Sequence, residues 1–327
     1  MKKEDLKIVF LGTPEFAVES LDLLVKEGFN IVGIVTMPDK PAGRGHRMFE
    51  SPVKLYAKEH GLKIMQPVKL KAPEFVEELQ SLNADLFIVI AFRMLPEIVW
   101  TMPRLGTFNL HASLLPRYRG AAPINWAVIN GDTETGVTTF FLKHEIDTGD
   151  IISQEKIEIK PDDNVGDIHD RLMSLGAKLT LDTVNHIIAG DLTTTPQESL
   201  LTDGEEPTPA PKIFKETCRI DWSKPAINVH NLVRGLSPYP CAWTELRNAT
   251  EPDTALYNIK VLETKLIPES SADSLTPGMI INDGRSLTAV CSDGLIEIIR
   301  LQPAGKKPMT ASEFLRGARL PESTILV

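Results

Sequence analysis

Several features that mark common protein classes are missing from this 327-residue sequence. No apolar run approaches the roughly 20 residues that a membrane-spanning helix needs. No secretory signal is predicted, because the first apolar run, at 7–11, is too short and follows acidic residues. The three cysteines, Cys218, Cys241 and Cys291, lack the close spacing of a metal site, and their odd number argues against a disulfide framework. We therefore expect a cytoplasmic protein with no membrane association and no bound metal.

An excess of positive charge, typical of nucleic-acid binders, is also missing, since the net charge is −9. The charge is unevenly distributed along the chain. From Lys212 onward, 14 Lys and Arg residues stand against 13 Asp and Glu residues, so the excess of acidic residues lies before Lys212. The second half of the chain can therefore accommodate a polyanion, although a near-neutral domain with no such partner has the same composition.

The first half of the chain alternates strand and helix patterns. Continuous apolar runs rich in β-branched residues predict buried parallel strands at 7–11, 30–35, 85–91 and 106–110. Helical patterns lie at 15–27, 51–59, 122–129 and 163–188, and two further strands are predicted at 137–143 and 151–159. This alternation predicts an α/β fold with a Rossmann-like, doubly wound parallel sheet, in which ligands bind at the carboxyl ends of the strands.

A Pro-rich stretch separates this pattern from a β-rich second half. The residues at 191–211 include four prolines and show no periodic apolar face, which is typical of a linker. Short strands then recur at 242–246, 258–266, 279–282, 287–291 and 295–301. We predict a domain at 1–190, a linker at 191–211 and a small C-terminal β-barrel of the oligonucleotide-binding (OB-fold-like) type at 212–327.

Two polar residues stand at the end of the fourth predicted strand. Asn109 and His111 are two positions apart, so on a strand their side chains project to the same face. The simplest alternative is that they only cap the strand. An amide beside an imidazole at the ligand-binding end of a doubly wound sheet nevertheless favours a catalytic site.

The loop at 144–150 supplies a carboxylate for this pair. Acyl transfer to an amine needs a donor to the developing oxyanion, a group that takes the amine proton and a group that orients the base. Asn109, His111 and Asp147 can fill these roles, although either His111 itself or a water could take the proton. The alternative for the loop is a turn whose Asp and Gly residues serve only its geometry.

The residues between these elements carry a resemblance to a known family. The run Ser113, Leu114, Leu115 and Pro116, with Asn109 and His111 before it and Asp147 after it, resembles the folate-dependent formyltransferases. The resemblance implies that Asn109, His111 and Asp147 are catalytic and that the 113–116 loop binds 10-formyltetrahydrofolate. The segment at 91–96 departs from the family, which usually has a Tyr-Gly pair and one more residue there.

Other motifs resemble the branch of that family that formylates methionyl-initiator-tRNA. They lie at 10–18, at 36–45 and in the C-terminal region, so the resemblance covers nearly the whole chain. It implies a tRNA partner, a folate co-substrate and, we expect, a monomer. Candidate tRNA-binding residues are Lys40, Arg44, Arg47, Lys212, Lys215, Lys306 and Lys307, with Arg219 and Arg234 as further phosphate contacts. A mobile basic loop without a ligand remains the alternative for the first three residues.

Two other functions compete with this interpretation. A formyltransferase with a small acceptor is expected to have a shorter chain or a different second domain. A nonenzymatic RNA-binding protein would leave Asn109, His111 and Asp147 without a role, and its pI near 5.4 would be unusual. Fusion of the small-acceptor enzyme to a dehydrogenase would require a G-x-G-x-x-G fingerprint, which does not occur in the sequence.

We predict Trp222 and Trp243 to be core residues and not base-stacking platforms.

Overall fold

The computed structural model describes residues 1–42, 47–201, 204, 206–268 and 275–327. Contacts divide the chain into two compact units that alternate along the sequence. The sheet unit comprises Met1–Gly120, Thr135–Ile157 and His169–Ala210, and the barrel unit comprises Ala121–Glu134, Glu158–Ile168 and Pro211–Val327. The division into functional domains at 1–190 and 212–327 stays a prediction.

The helices in the described ranges begin and end as follows: α1 Glu15–Lys26, α2 Pro52–Glu59, α3 Pro73–Ser81, α4 Glu97–Trp100, α5 Pro123–Ile129, α6 Val165–Ala189, α7 Ala226–Leu236 and α8 Ala311–Gly317. Local chemistry explains several of the starts. Ser51 Oγ accepts a hydrogen bond from the Lys54 amide at 3.1 Å, and Pro52 occupies the first turn of α2. Thr310 and Glu313 form a reciprocal capping box that begins α8.

The strands in the same ranges are β1 Lys7–Gly12, β2 Asn30–Val35, β3 Lys40–Ala42, β4 Arg47–Phe49, β5 Ile64–Met65, β6 Leu86–Ile90, β7 Thr107–His111, β8 Arg119–Gly120, β9 Glu134–Phe141, β10 Ile151–Glu158, β11 Pro209–Ala210, β12 Ala242–Asn248, β13 Glu251–Ile267, β14 Ile280–Asn282, β15 Leu287–Val290, β16 Leu295–Pro303, β17 Met309–Thr310 and β18 Thr324–Leu326. The predicted strands are all present. Most of their ends differ from the predicted bounds. Strand β6, for example, ends at Ile90 because Ala91 takes a positive φ of 47° and leaves the extended conformation.

One seven-stranded sheet forms the centre of the sheet unit, in the order β10-β9-β7-β6-β1-β2-β5. Strands β5, β2, β1, β6 and β7 are parallel, and β9 runs antiparallel to β7. Every residue of β6 is buried, as expected for a strand covered on both faces. The chain adds strands on one side of β1 and then on the other, which confirms the Rossmann-like prediction.

The barrel unit is built on one antiparallel sheet, in the order β14-β15-β16-β13-β12-β18, with β17 paired to β16. The two edges of this sheet approach each other, because Met279 bridges Ile325 and the Leu326 amide donates to the Gly278 carbonyl at 2.8 Å. A Cβ at Gly278, whose φ is +87°, would lie 2.5 Å from the Leu326 carbonyl oxygen. The sheet is therefore a nearly closed barrel, which confirms the prediction.

An apolar core fills the barrel and includes one face of α7. Trp222, Val233, Leu246 and Ile298 are among its buried members. Trp222 is 4% exposed, and its Nε1 donates to Thr244 Oγ1 at 3.0 Å, so its prediction as a core residue is confirmed. Trp243 is partly buried and packs against the same core.

The predicted linker is more ordered than its composition suggests. It contains a short 3-10 helix at Gln197–Leu200 and strand β11, which pairs with β8. Within the described ranges, no helix has both the length and the apolar character needed to cross a membrane.

Candidate active site

Asn109 and His111 stand at the carboxyl end of β7. Asn109 lies opposite Val89 of β6 and Phe140 of β9, near the centre of the sheet. Leu110 faces the other side of the sheet and packs against Gly176 of α6, where a Cβ would lie 2.7 Å from Leu110 Cδ2. The strand pleat therefore separates one packing face from one polar face, as predicted.

The Asn109 amide is incompletely paired. Its Oδ1 is buried, and no described residue donates a hydrogen bond to it. Buried polar atoms are nearly always hydrogen-bonded, and the exceptions need an explanation. A bound group that donates to this oxygen is one such explanation.

His111 is held by a main-chain carbonyl. Its Nε2 lies 2.8 Å from the Tyr118 carbonyl oxygen, and its ring meets Phe140 edge to face. A carbonyl oxygen can only accept, so Nε2 carries the proton in this hydrogen bond. In the neutral imidazole the lone pair is then on Nδ1, which lies 3.9 Å from Asp147 Oδ2. His111 can therefore take up a proton at Nδ1, next to a carboxylate.

The Asp147 carboxylate is fixed by the backbone of β8. Asp147 Oδ2 accepts a hydrogen bond from the Gly120 amide at 2.9 Å. The distance of 3.9 Å to His111 Nδ1 is too long for a hydrogen bond but short enough for an ion pair once the imidazole is protonated. Asp147 has a φ of +55°, in the left-handed region, where strain persists only if the surroundings hold it.

The loop that carries Asp147 has little room for change. A Cβ added at Gly149 would lie 1.5 Å from the Phe141 carbonyl oxygen. Lys143 and Asp150 pair across the base of the loop at 2.8 Å. The two roles predicted for this loop, turn geometry and a carboxylate beside His111, therefore belong to the same turn and do not exclude each other.

The loop Ser113 to Pro116 is anchored mainly by its own buried groups. Ser113 Oγ donates to the Arg117 carbonyl at 2.7 Å, and Leu115 packs with Phe140 and Ile151. Ser113, Leu115 and Pro116 are buried, whereas Leu114 is partly exposed. The Leu115–Pro116 peptide bond is cis.

Two polar residues hold this loop from the neighbouring strands, and sequence analysis missed both. Thr138 Oγ1 donates to the Ser113 carbonyl at 2.6 Å, and Gln154 Nε2 donates to the Leu115 carbonyl at 2.8 Å. The alternation of side chains along β9 and β10 predicts the face of the sheet on which Thr138 and Gln154 lie. It does not predict their hydrogen-bond partners.

The segment 91–96, which departs from the family pattern, is tied to the chain after β5. Arg93 donates from Nη1 to the Val68 carbonyl at 2.9 Å and from Nη2 to the Pro67 carbonyl. Burial lowers the pKa of the Arg93 guanidinium from its usual value. Arg93 therefore holds the segment that follows β6 through the main-chain carbonyls of the segment that follows β5.

Comparison with known proteins identifies the family of this chain. The family model "Formyl transferase" matches residues 6–184, and "Formyl transferase, C-terminal domain" matches residues 212–319. The chain belongs to the formyl transferase family. Proteins named methionyl-tRNA formyltransferase from Bacteroides fragilis and Phocaeicola vulgatus are 57% and 58% identical to it. The first match covers 99% of this chain and 98% of the relative, and the second covers 99% of both.

Solved structures share the formyl transferase fold at lower identity. The N-formyltransferase of Helicobacter canadensis, solved with folinic acid and dTDP-3-aminofucose, has a TM-score of 0.66 at 20% identity, over 91% of this chain and 99% of that one. HypX from Aquifex aeolicus, solved with tetrahydrofolic acid, has a TM-score of 0.62 at 18% identity, over 97% of this chain and 48% of that one.

Of the predicted tRNA-binding residues in the first part of this formyl transferase, Lys40 and the backbone of Arg47 belong to the β3–β4 pair. Lys40 is exposed in β3. Arg44 lies outside the described residues, as does the side chain of Arg47, whose backbone belongs to β4. Lys54 lies 2.5 Å from Asp39, just before the pair, and this hydrogen bond lowers the pKa of the Asp39 carboxyl.

The predicted cations of the barrel unit are on its surface. Lys212, Lys215, Lys306 and Lys307 are exposed. Lys215 Nζ and the Arg219 guanidinium each lie 5.4 Å from the Trp243 ring centroid, and Trp243 Nε1 donates to the Lys215 carbonyl.

The prediction of Arg234 as a phosphate contact is wrong. Arg234 is only 9% exposed, because it belongs to the buried face of α7. Its guanidinium donates to Asn231 Oδ1 at 2.8 Å and to the Asp163 carbonyl at 3.0 Å. These bonds hold the residue inside the barrel unit.

The cysteines and the described acidic residues form no further site. Cys218, Cys241 and Cys291 are buried and unbridged. In the part of the chain that the structure describes, no three His, Cys, Asp or Glu residues are grouped as metal ligands would be.

Proposed function

We propose that this formyl transferase transfers the formyl group of 10-formyltetrahydrofolate to the free amino group of methionyl-initiator-tRNA. The product is the N-formylmethionyl-tRNA used in translation initiation. Relatives that carry this activity in their names match nearly the full chain at 48–58% identity. We expect the enzyme to act in the cytoplasm, as a monomer and without a metal.

The observation that carries the proposal is the arrangement of Asn109, His111 and Asp147. The partnerless Asn109 Oδ1 can accept from the attacking amine, while Nδ2 of the same amide can donate to the formyl oxygen. Negative charge develops on that oxygen as the amine adds to the formyl carbon, so a fixed donor lowers the barrier.

His111 and Asp147 act on the proton in this proposal. His111 takes the amine proton at Nδ1 and returns it to the nitrogen that the formyl group leaves. The imidazolium formed between these two transfers is stabilised by Asp147, 3.9 Å away. No protein nucleophile is needed, because the attacking nitrogen belongs to the acceptor.

The folate co-substrate supplies a formyl group on nitrogen, an amide-like donor ready for transfer. Ser113, Leu114, Leu115 and Pro116 remain our candidates for its binding. Because three of these side chains are buried, we expect contact through Leu114 and the loop backbone. Two solved structures of this fold support a folate site, since the Helicobacter canadensis N-formyltransferase was solved with folinic acid and Aquifex aeolicus HypX with tetrahydrofolic acid.

The acceptor end of the tRNA is proposed to meet the cations that the sequence predicts as tRNA contacts. Those of the sheet unit are Lys40, Arg44 and Arg47, and those of the barrel unit are Lys212, Lys215, Lys306 and Lys307. Lys and Arg side chains neutralise backbone phosphates and release counterions, which makes such binding dependent on salt.

The decisive experiment measures transfer of labelled formyl from 10-formyltetrahydrofolate to charged methionyl-tRNA. Free methionine, glycinamide ribonucleotide and an amino-sugar nucleotide are run beside it as competing acceptors. We expect transfer to methionyl-tRNA alone. Transfer to a small acceptor instead would preserve the family but overturn the proposed substrate.

A further inference from the structure

One buried residue of the predicted linker contacts the Asp147 loop directly. Gln197 begins the 3-10 helix after α6 and is 0% exposed. Its Nε2 donates to the Asp147 carbonyl at 2.9 Å and to the Gly149 carbonyl at 2.8 Å. Its Oε1 accepts from Nε and Nη2 of Arg119, at 3.0 and 2.7 Å. Both amide hydrogens and both oxygen lone pairs are therefore used.

The two bonds from Gln197 Nε2 hold the backbone of a strained turn. Asp147 has a positive φ, and such a conformation persists only where the surroundings over-determine it. By fixing the carbonyls on both sides of Thr148, Gln197 sets the direction in which the Asp147 side chain leaves the loop.

The same residue also holds the group that binds the Asp147 carboxylate. Arg119 donates to Gln197 and directly precedes Gly120, whose amide donates to Asp147 Oδ2. The Arg119 amide in turn donates to the Thr208 carbonyl at 3.0 Å, beside the β8–β11 pair. Gln197 thus connects the main chain of Asp147 to the strand that holds its carboxylate.

We propose that Gln197, supported by Arg119, is a positioning residue that fixes Asp147 relative to His111 during formyl transfer. The proposal rests on the catalytic role proposed above for Asp147. Gln197 acts through the loop and touches neither substrate. Misplacing a catalytic group by about 1 Å can slow a reaction on the order of a hundredfold, so the effect of losing these bonds should appear in kcat.

The test compares Gln197→Glu with wild type in the formyl-transfer assay. An ionised Glu keeps the size and the pairing with Arg119, but it turns an acceptor toward two carbonyl oxygens. We expect kcat to fall about tenfold to a hundredfold and KM for methionyl-tRNA to change less than threefold. Gln80→Glu, on the exposed face of α3, is the matched control and should leave both constants unchanged.

A double-mutant cycle with Asp147→Asn separates positioning from general damage to the fold. If Gln197 acts through Asp147, adding Gln197→Glu to Asp147→Asn lowers kcat no further. Multiplication of the two effects, or a wild-type kcat in Gln197→Glu, overturns the proposal. If Gln197→Glu does not fold, Arg119→Met takes its place in the same cycle, with a smaller expected loss and the same criteria.

The proposed function is tested separately by wild type and Asp147→Asn alone. Absence of transfer to methionyl-tRNA by wild type would overturn that function. Transfer by wild type that collapses in Asp147→Asn but is unaffected in Gln197→Glu would overturn only the role of Gln197.

Discussion

The two units place their predicted functional residues in opposite surroundings. In the sheet unit, His111 and Asp147 are mostly buried, and main-chain groups hold both. In the barrel unit, Lys212, Lys215, Lys306 and Lys307 are exposed around a closed apolar core. A buried site can orient groups for a chemical step, whereas exposed cations attract a polyanion without a fixed distance between the charges. We therefore expect changes in the sheet unit to alter kcat and changes in the barrel unit to alter tRNA affinity.

The largest expected effect is that of Asn109→Ala. Removing one donor to a developing oxyanion costs roughly a hundredfold to a thousandfold in kcat. The melting temperature should change little, because Oδ1 has no described partner to lose. Turnover and thermal melting are measured beside Asn185→Ala, an exposed residue of α6. Turnover close to wild type would remove Asn109 from the mechanism.

The next effect is expected for Gly149→Ala. The new Cβ would lie 1.5 Å from the Phe141 carbonyl oxygen, so the Asp147 loop must move. We expect at least a tenfold loss of kcat, together with a loss of about 1–3 kcal/mol in stability from overpacking. The matched control is Gly317→Ala, whose Cβ would meet no described atom within 4 Å. An active, stable Gly149→Ala variant would show that the loop position is not critical.

A smaller effect, of a different kind, is expected for Lys212→Ala. We expect kcat to be retained and KM for methionyl-tRNA to rise several-fold. The slope of log affinity against log salt should become shallower by about 0.7–0.9, the contribution of one phosphate contact. Binding is measured at several salt concentrations beside Lys178→Ala, an exposed lysine of α6. Equal slopes in wild type, Lys212→Ala and the control would contradict the role of Lys212.

The smallest effect concerns stability alone and lies in the barrel unit. Burial and then the charge of Arg234 lower the pKa of His230, whose Nδ1 lies 3.0 Å from Thr264 Oγ1. The unfolded chain therefore binds more protons near its ordinary His pKa, and stability falls as the pH drops through about 6.5. One such group changes the free energy of unfolding by at most about 1.4 kcal/mol per pH unit.

His230→Gln should weaken this pH dependence. The measurement is the difference between the melting temperatures at pH 7.5 and pH 5.5, in wild type and variant, with His186→Gln as an exposed control. An unchanged difference in His230→Gln would show that His230 does not contribute to the acid sensitivity.

Sequence patterns predicted the elements whose packing is periodic. Strand β2 begins and ends as predicted at 30–35, and the alternation along β7 correctly placed Asn109 and His111 on one face. A continuous apolar run predicted the first, and the two-residue period of a strand predicted the second. The assignment of catalytic roles to these residues stays a prediction.

The same patterns could not indicate the contacts of Gln197 or Arg234. The Gln197 partners are carbonyls about 50 positions earlier in the chain, and its Pro-rich surroundings have no periodicity. Arg234 was predicted as a phosphate contact because of its charge, but it lies on the buried face of α7. Helix α7 lies in a stretch for which sequence analysis made no helix prediction.

The alternation of the two units along the chain has a consequence for synthesis. Helix α5 packs against α7 within the barrel unit, where Asn125 Nδ2 donates to the Gly235 carbonyl at 2.8 Å. The ribosome reaches α7 almost 100 residues after it completes α5. At about 5–20 residues per second, roughly 5–20 s pass before the apolar side of α5 can pack against α7. The speed of translation over this interval therefore determines how long the apolar side of α5 stays accessible to chaperones and to aggregation.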